Sequence, residues 1–200
     1  MEAELSDAEK AYQVYTQKRL AFYDAFVLGL SNRFIWRCPS DQVLSLFREH
    51  LSENHLDVGG GTGYFLKHSL PEGRPRIALL DANRDCLEFT AKRIAQYKPE
   101  LHQEDITEPL ELRGAGFDSI SINGVFHCLP GPLEEKFEFV LNQLMPHLHE
   151  NGVIFGSTIL GAEIQQPFLA KAVMGYYNKK GIFSNQEDGL GAVMTGLSKR

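Results

Sequence analysis

The sequence lacks the cysteine pairs, long apolar runs and leader pattern that mark several common protein classes. Its three cysteines, Cys38, Cys86 and Cys128, are far apart and form no C-x-x-C pair, which argues against a zinc knuckle or a thioredoxin-type redox site. Such sparse cysteine usage is typical of a reducing compartment. No apolar run approaches the ~20 residues of a membrane span, and the acidic start has no signal-peptide pattern. We therefore expect a cytoplasmic protein without a membrane partner.

Positive charge is also scarce relative to negative charge. The 200 residues include 20 Lys and Arg against 26 Asp and Glu, which gives a formal charge of −6. Nucleic-acid binding needs clustered basic residues for phosphate contacts, so this balance argues against a nucleic-acid partner. The hydrophobic content of 43% and the length predict one compact domain with its own core.

The pattern of apolar residues changes near residue 50. Residues 1–50 are typical of helices that restart near Pro39, and we expect them to form a helical cap. Over residues 51–200, short apolar runs alternate with helical stretches. This alternation predicts the α/β class, with a mostly parallel, doubly wound, Rossmann-like sheet between two layers of helices.

The same runs predict the individual elements. Strands are expected over residues 55–58, 76–81, 101–106, 117–123 and 153–160. Helices are expected over residues 62–70, 84–97, 133–148, 168–177 and 187–199.

A glycine loop, G-G-G-T-G at residues 59–63, follows the first predicted strand. A phosphate-binding P-loop would require Lys-Ser or Lys-Thr after the glycines, and none is present. The dinucleotide fingerprint requires a third glycine where this sequence has Tyr64 or Leu66, depending on the starting glycine. What remains is an acid followed by alternating glycines, Asp57-x-Gly-x-Gly-x-Gly, at the end of the sheet where α/β proteins bind ligands.

Acidic residues end each of the first three predicted strands. Asp57 would repel a pyrophosphate and suits a ligand that carries an ammonium group. Asp81 can accept hydrogen bonds from both hydroxyls of a ribose. Asp105 can accept one from an exocyclic amine, a role for which Glu104 competes. A ring with an amine, a ribose diol and a cationic amino acid together describe S-adenosylmethionine.

With these features, residues 55–160 resemble a class I S-adenosylmethionine-dependent methyltransferase. The resemblance is carried, in the family's order, by the glycine loop, Asp81, the E-D-I segment at residues 104–106, and F-D-S-I-S-I-N followed by V-F-H-C-L-P. It implies that the cofactor is S-adenosylmethionine and that the helical cap lies over it. It also implies a set of cofactor contacts: Gly59, Gly61 and Gly63 along the methionine part, Asp81 on the ribose, Asp105 on the adenine amine, Ile106 against the ring, and the backbone carbonyl of Asn123 on the ammonium.

The family's sheet has seven strands, and its last two form a reversed hairpin. Only five strands are predicted here. We therefore expect the hairpin to be missing, through truncation or in a natural short form, with an edge strand left exposed.

A few further residues are candidates for the site on position and chemistry. His127, after the fourth predicted strand, is a candidate general base, although the resemblance implies that in many relatives a His here only packs or contacts the cofactor. Tyr23 and Trp36 are candidates for covering the cofactor, since aromatic faces attract a sulfonium cation. Arg37 could meet the cofactor's carboxylate. Tyr176 and Tyr177 are weaker candidates for the substrate side, and core packing remains the alternative for all the aromatic residues.

The predicted function is methyl transfer to an O, N or C atom of a small-molecule metabolite. The N-P-P-Y run that accompanies methylation of nucleobase amines is absent after the fourth strand, and Cys128 lacks the Pro-Cys context of cytosine methylation. The alternative is a catalytically inactive binding or assembly protein with the same fold. No metal is expected, and a homodimer is left open.

Overall fold

The protein is described by a computed structural model over residues 31–112 and 116–198. Five parallel strands form one sheet in the order β3-β2-β1-β4-β5, which confirms the predicted fold class. The strands are β1 Asn54–Val58, β2 Arg76–Leu80, β3 Glu100–His102, β4 Phe117–Asn123 and β5 Leu148–Ser157. From β1 the strand order runs outward through β2 to β3, and the chain then crosses back to place β4 and β5 on the other side of β1. The crevice beside β1, where the order reverses, is the point at which α/β sheets bind ligands.

Six α-helices cover the sheet in the described part of the chain. They are α1 Ser40–His50, α2 Tyr64–Lys67, α3 Arg84–Arg93, α4 Leu133–Leu144, α5 Phe168–Lys179 and α6 Leu190–Ser198. Residues 31–35 form a π-helical turn before α1. The helices predicted before residue 31 lie outside the described residues. No described helix has the length and apolar character needed to cross a bilayer.

Several elements differ in extent from the sequence prediction. β3 stops at His102, because the following chain turns where Asp105 Oδ1 accepts the backbone N–H of Thr107 at 2.9 Å. α2 is one turn long, since the chain then reaches Pro71, which disfavours helix in the residue before it. β5 starts earlier than predicted, because Leu148 already pairs with Phe117 across an irregularity in the register.

The two faces of the central strands differ in chemistry. On one face, Leu56 and Val58 of β1 pack with Ile120 and Ile122 of β4 beneath α4, which presents a stripe of buried apolar side chains. The other face carries a buried polar group in the same two strands, formed by His55, Asp57, Ser119 and Ser121. The alternation of side chains along a strand therefore separates an apolar face from a polar one.

Helix α1 closes the polar face near β5. Phe47 packs edge-on against Phe155, with ring centroids 5.1 Å apart, and stacks with Phe65 at 5.8 Å. Val43 joins the same cluster. This packing fixes the direction in which residues 31–39 leave the helix, and several of those residues reach the ligand crevice.

Candidate functional site

A cavity of about 790 Å³ lies at the carboxyl ends of the strands. Its walls come from the segments that follow β1, β2, β3, β4 and β5, together with residues 31–43 and helix α5. Small-molecule sites usually measure ~300–1,000 Å³, and in open α/β sheets they lie at this end. The cavity is therefore the candidate site.

The glycines of the loop after β1 serve different purposes. Gly61 lines the cavity with φ +58°, and a Cβ placed there would meet nothing within 4 Å. Gly60 has no room for a side chain, because a Cβ would lie 2.2 Å from Oδ2 of Asp57. Gly63 does not line the cavity; it begins α2 with φ +66°, against Thr90. Gly61 is thus the position where a missing side chain opens the loop backbone to a ligand.

Asp57 lies behind the loop and not in the cavity wall. One carboxylate oxygen accepts a short hydrogen bond from the Ser121 hydroxyl. Ser121 Oγ is 3.0 Å from Nε2 of His55, and Nδ1 of that ring is 2.7 Å from the Ser119 hydroxyl. Since a carboxylate only accepts, Ser121 donates to Asp57, His55 donates from Nε2, and Ser119 donates to Nδ1. We call Asp57, Ser121, His55 and Ser119 the buried polar chain.

Burial sets the protonation of this chain. It lowers the pKa of His55 to about 3, so the ring is neutral and has the single Nε2 proton that the chain requires. It raises the pKa of Asp57 to about 6, and the hydrogen bond from Ser121 opposes that rise. The chain therefore keeps Asp57 ionised above about pH 6 and holds its carboxylate against the underside of Gly60.

One wall of the cavity carries its acids, Asp81, Glu104 and Asp105, which we call the carboxylate side. They are the charged side chains among the described lining residues. Burial raises the pKa of Asp81 to about 7, and repulsion from the Asp57 and Asp105 carboxylates adds to the rise. Backbone N–H groups of Asn83, at 2.8 Å, and of Gly61 donate to Asp81 and oppose it. The two backbone donors do not offset the rise, so a further hydrogen-bond donor would stabilise the ionised form of Asp81.

Asp105 and Glu104 already support their own loop. Asp105 Oδ1 accepts the backbone N–H of Thr107 at 2.9 Å and its hydroxyl at 2.7 Å. Glu104 Oε2 accepts the backbone N–H of Glu111 at 2.7 Å. Both side chains line the cavity, so the competition between them for a ligand amine persists in the structure.

The opposite wall is built from rings. We call Trp36, His127, Tyr176, Tyr177 and Phe183 the ring side. Phe183 is its centre, with ring centroids 4.5 Å from His127, 4.9 Å from Tyr177 and 6.1 Å from Trp36. Tyr176 and Tyr177 lie 5.9 Å apart. Tilted and edge-to-face contacts of this kind are favourable between aromatic rings, so the ring side is a packed surface.

His127 is buried in the ring side. Its Nδ1 lies 3.4 Å from the Thr158 hydroxyl and 3.5 Å from the backbone N–H of Ile159. An N–H group facing Nδ1 requires that nitrogen to be the acceptor, so the proton of the neutral ring is on Nε2. Burial, with the nearby charge of Lys136, lowers the pKa of His127 to about 3. His127 is therefore neutral at physiological pH.

A buried ion pair holds the ring side in place. Lys136 of α4 donates to Asp188 Oδ2 at 3.0 Å, and both side chains are almost completely buried. Lys136 Nζ also donates to the carbonyl of Ser184, and the Ser184 N–H donates to the His127 carbonyl at 2.8 Å. Burial lowers the pKa of Lys136, while the hydrogen bond and charge of Asp188 raise it. The pair therefore fixes the loop that carries Phe183 between α5 and α6.

The structure brings most of the predicted site residues to one cavity and leaves others outside it. Its wall contains Gly59, Gly61, Asp81, Asp105, Ile106, Asn123, Trp36 and His127. Asp57 and Gly63 support the loop from behind. Arg37 is exposed, with φ +53°, and does not line the cavity. Tyr23 lies outside the described residues.

Sequence reasoning missed Phe183, Lys136 and Asp188. Phe183 is in a loop whose pattern carries no signal for a cavity wall. Lys136 did carry a signal in the sequence. It falls on the apolar stripe of α4 between Leu133 and Phe137, where a charged residue needs a buried partner.

Comparison with known proteins agrees with this architecture. The family profile described as a methyltransferase domain matches residues 56–154. The methyltransferase aurB of Calcarisporium arbuscula is 35% identical over 195 residues, which cover 90% of this chain and 84% of that protein. The demethylluteothin O-methyltransferase of Streptomyces thioluteus is 33% identical over 175 residues, which cover 87% of this chain and 76% of that protein.

A solved structure shares the fold. The N-methyltransferase NodS from Bradyrhizobium japonicum WM9, in complex with S-adenosyl-L-homocysteine, superposes with a TM-score of 0.62. The alignment covers 92% of this chain and 85% of that one, at 16% sequence identity. At this identity the likeness shows the fold alone.

Proposed function

The chain belongs to the class I S-adenosylmethionine-dependent methyltransferase family, and we propose that it transfers a methyl group from S-adenosylmethionine to a small-molecule acceptor. The observation that carries this proposal is Asp81, a carboxylate that faces the cavity beside Gly61 and whose pKa is raised to about 7 by burial and by neighbouring carboxylates. A ligand that donates hydrogen bonds there would relieve the cost of keeping that charge buried.

The residues present fit this cofactor. A ribose offers two hydroxyl donors, which match the demand of Asp81. The cavity has acids and, among its described lining residues, no Lys or Arg, so it favours a cationic sulfonium and ammonium over a phosphate. Open space over Gly61 leaves the loop backbone accessible to an extended ligand.

We assign the cofactor contacts as follows. Asp81 accepts from the ribose, and Asp105 or Glu104 accepts from the adenine amine while Ile106 packs on the ring. The Asn123 carbonyl accepts from the ammonium, and Gly59 and Gly61 face the methionine part. Asp57 acts through the loop: its carboxylate fills the space under Gly60, where a Cβ would not fit.

We also propose that residues 1–50 form a cap over the cofactor, with residues 51–200 as the binding domain. Support comes from Ser31, Asn32, Ile35 and Trp36, which line the cavity ahead of α1. Trp36 is the candidate ring for the sulfonium. Tyr23 shares that proposed role, and Arg37 would need to turn inward to reach the cofactor's carboxylate.

The chain's own contribution to the reaction is alignment. When bound, S-adenosylmethionine would supply a methyl carbon from which a nucleophile displaces the thioether sulfur as leaving group. The carboxylate side fixes the nucleoside and the ring side holds the acceptor. The two reactants therefore meet in a fixed orientation, which lowers the entropic part of the activation barrier. The rings also shield the reacting atoms from most of the solvent. His127 is the candidate catalytic residue, because it is the imidazole in the ring side, next to Thr158, and an imidazole can donate or accept a hydrogen bond.

The acceptor atom is the less constrained part of the proposal. The cavity suits a small molecule, and oxygen, nitrogen and carbon remain the candidate atoms. One relative is named an O-methyltransferase and the solved neighbour is named an N-methyltransferase. The alternative function, a binding or assembly protein that no longer turns over, predicts cofactor binding or partner association without methyl transfer to any acceptor.

Isothermal titration with S-adenosylmethionine and S-adenosylhomocysteine tests the proposal. We expect micromolar binding of both by the wild type. Asp81→Asn keeps the size of the side chain but loses the charge, so we expect affinity to fall by about tenfold or more, since a hydrogen bond to a charged group contributes about 1.5–3 kcal/mol.

The matched control is Asp118→Asn, a change of the same chemistry at an exposed residue on β4. It should bind like the wild type. Binding of neither ligand to the wild type at millimolar concentration would exclude the function, and equal losses in both variants would exclude the role of Asp81.

A further inference from the structure

The ring side has features that restrict which acceptor it can hold. Its five members are rings from four separate segments of the chain, and Phe183 contacts three of the others. Aromatic side chains favour aromatic partners, because stacked and edge-to-face contacts add about 0.5–1.5 kcal/mol beyond simple burial. A saturated, puckered ring would make fewer such contacts.

Charge is the second restriction. The three charged side chains among the described lining residues all belong to the carboxylate side, at the ends of β2 and β3. The ring side follows β4 and β5, and two strand spacings of ~4.8 Å separate the ends of β2 and β4 by roughly 10 Å, with the acids after β3 farther away. A carboxylate or an ammonium on the acceptor would thus find no counterion among the members of the ring side.

Proton transfer is the third restriction. His127 lines the cavity, and its proton is on Nε2, since Nδ1 faces the N–H of Ile159. Within residues 31–112 and 116–198, no group bonds Nε2. The ring is also held neutral by burial, which lowers its pKa to about 3. It can donate a hydrogen bond to an acceptor oxygen but is a weak base, so the acceptor itself must lose its proton easily.

A phenolic hydroxyl satisfies this condition. Its pKa is about 10, as in tyrosine, whereas an alkyl hydroxyl lies near the 15.7 of water. At neutral pH a phenol supplies its oxyanion between about five and six orders of magnitude more readily than an alkyl alcohol, without a strong base.

On the premise of the proposed function, we propose that the ring side is the acceptor subsite, that it takes an uncharged aromatic compound with a phenolic hydroxyl, and that His127 donates a hydrogen bond to that oxygen. The hydroxyl proton leaves to water. The oxygen forms a bond to the methyl carbon as the bond from that carbon to sulfur breaks, and the electron pair of the broken bond stays on sulfur.

The test uses the whole chain saturated with S-adenosylhomocysteine, titrated by calorimetry with three compounds of one skeleton. Naphthol is flat and phenolic, decahydronaphthol is puckered and aliphatic, and naphthylmethylamine is flat and cationic. We expect naphthol to bind at least tenfold more tightly than either of the others. Equal or tighter binding of decahydronaphthol or the amine would overturn the proposal.

Two variants locate the subsite. Phe183→Leu keeps an apolar side chain and removes the ring, so naphthol should bind three- to tenfold more weakly while S-adenosylhomocysteine binds as in the wild type. Phe168→Ala, at an exposed phenylalanine of α5, is the control and should change neither affinity. An unchanged naphthol affinity in Phe183→Leu would remove Phe183, and with it the ring side, from the acceptor site.

The role of His127 has its own readout. With S-adenosylmethionine kept saturating at every pH, kcat/KM for naphthol should show no inflection near pH 6.5, His127→Gln should retain most activity because its amide still donates, and His127→Leu should lose it. An acid limb near pH 6.5 that disappears in His127→Gln would make the residue a base and contradict the proposal. Failure of the chain to bind S-adenosylhomocysteine would refute the proposed function, whereas normal binding with the wrong acceptor preference would refute this inference alone.

Discussion

The carboxylate side and the ring side enclose the same cavity but are built in opposite ways. The carboxylate side comes from short segments directly after β2 and β3, and the backbone of those segments fixes its acids through turns such as Asp105 with Thr107. The ring side gathers Trp36, His127 and Phe183 from distant segments, and a buried ion pair between α4 and the loop before α6 holds it.

The carboxylate side depends on local structure, whereas the ring side depends on tertiary packing. On the carboxylate side, the position of each acid follows from where its strand ends. On the ring side, each ring is in place only when α4, α5 and the loop between α5 and α6 have all packed. We therefore expect changes on the carboxylate side to affect ligand affinity first, and changes on the ring side to affect folding as well.

The largest expected effect is on the ring side. Lys136→Met leaves Asp188 buried without its partner, and breaking a buried pair in this way costs about 3–5 kcal/mol. Urea unfolding should show that loss. Lys136→Met combined with Asp188→Leu replaces both charges by apolar groups and should recover most of it. A double variant as unstable as the single one would mean that the pair itself, and not an orphaned charge, supplies the stability.

The next largest effect separates two glycines of the same loop. Gly61→Ala should cost about 1 kcal/mol of stability for its left-handed backbone, and should weaken S-adenosylhomocysteine binding tenfold or more, since the methyl enters the wall of the cavity. Gly63→Ala adds a contact of 2.5 Å with Thr90 and should cost about 2 kcal/mol or more. Its cofactor affinity should stay within threefold, and the reverse pattern would contradict the assignment of Gly61.

The loop that contains these two glycines also shows which parts of the site the sequence predicts. The motif from Asp57 to Gly63 is contiguous and ends a strand, so its ligand class and place in the fold could be predicted. The direction in which the Asp57 side chain points could not be predicted. Side chains alternate along β1, and Asp57 falls on the same face of the strand as His55, under the loop. Phe183 could not be found at all, since its role depends on packing between segments far apart in sequence.

A smaller effect distinguishes the two sides by pH. Cofactor hydroxyls bond the ionised form of Asp81, whose pKa in the free protein is about 7. Binding therefore requires loss of a proton at low pH, and S-adenosylhomocysteine affinity should fall about tenfold from pH 8 to pH 6. Naphthol affinity should not change over this range, because His127 titrates near 3. Calorimetry at several pH values measures both.

Asp81→Asn is the control for the pH effect, and it adds a stability test. Folded-state pKa values raised above 3.8 mean that the native protein binds protons more strongly than the unfolded chain. The free energy of unfolding should then fall as pH rises from about 4 to about 7. The fall should be shallower in Asp81→Asn, and an unchanged slope would indicate that Asp81 has an ordinary pKa.

The smallest effect is expected at the rim of the ring side. Tyr176 is more than half exposed, so Tyr176→Phe should change naphthol affinity by less than threefold. Tyr177 contacts Phe183 directly, and Tyr177→Leu should weaken naphthol binding more than Tyr176→Leu does. Equal effects from the two leucine variants would extend the subsite outward to the rim.

The buried polar chain has a consequence for anyone who would transplant the glycine loop into another scaffold. Asp57 and Ser121 are 64 positions apart, yet the acid beneath the loop depends on the hydroxyl from the neighbouring strand, and that hydroxyl depends on His55. A graft of residues 57–63 alone would import a carboxylate with its donor left behind. The smallest portable unit is therefore a pair of adjacent strands together with the turn.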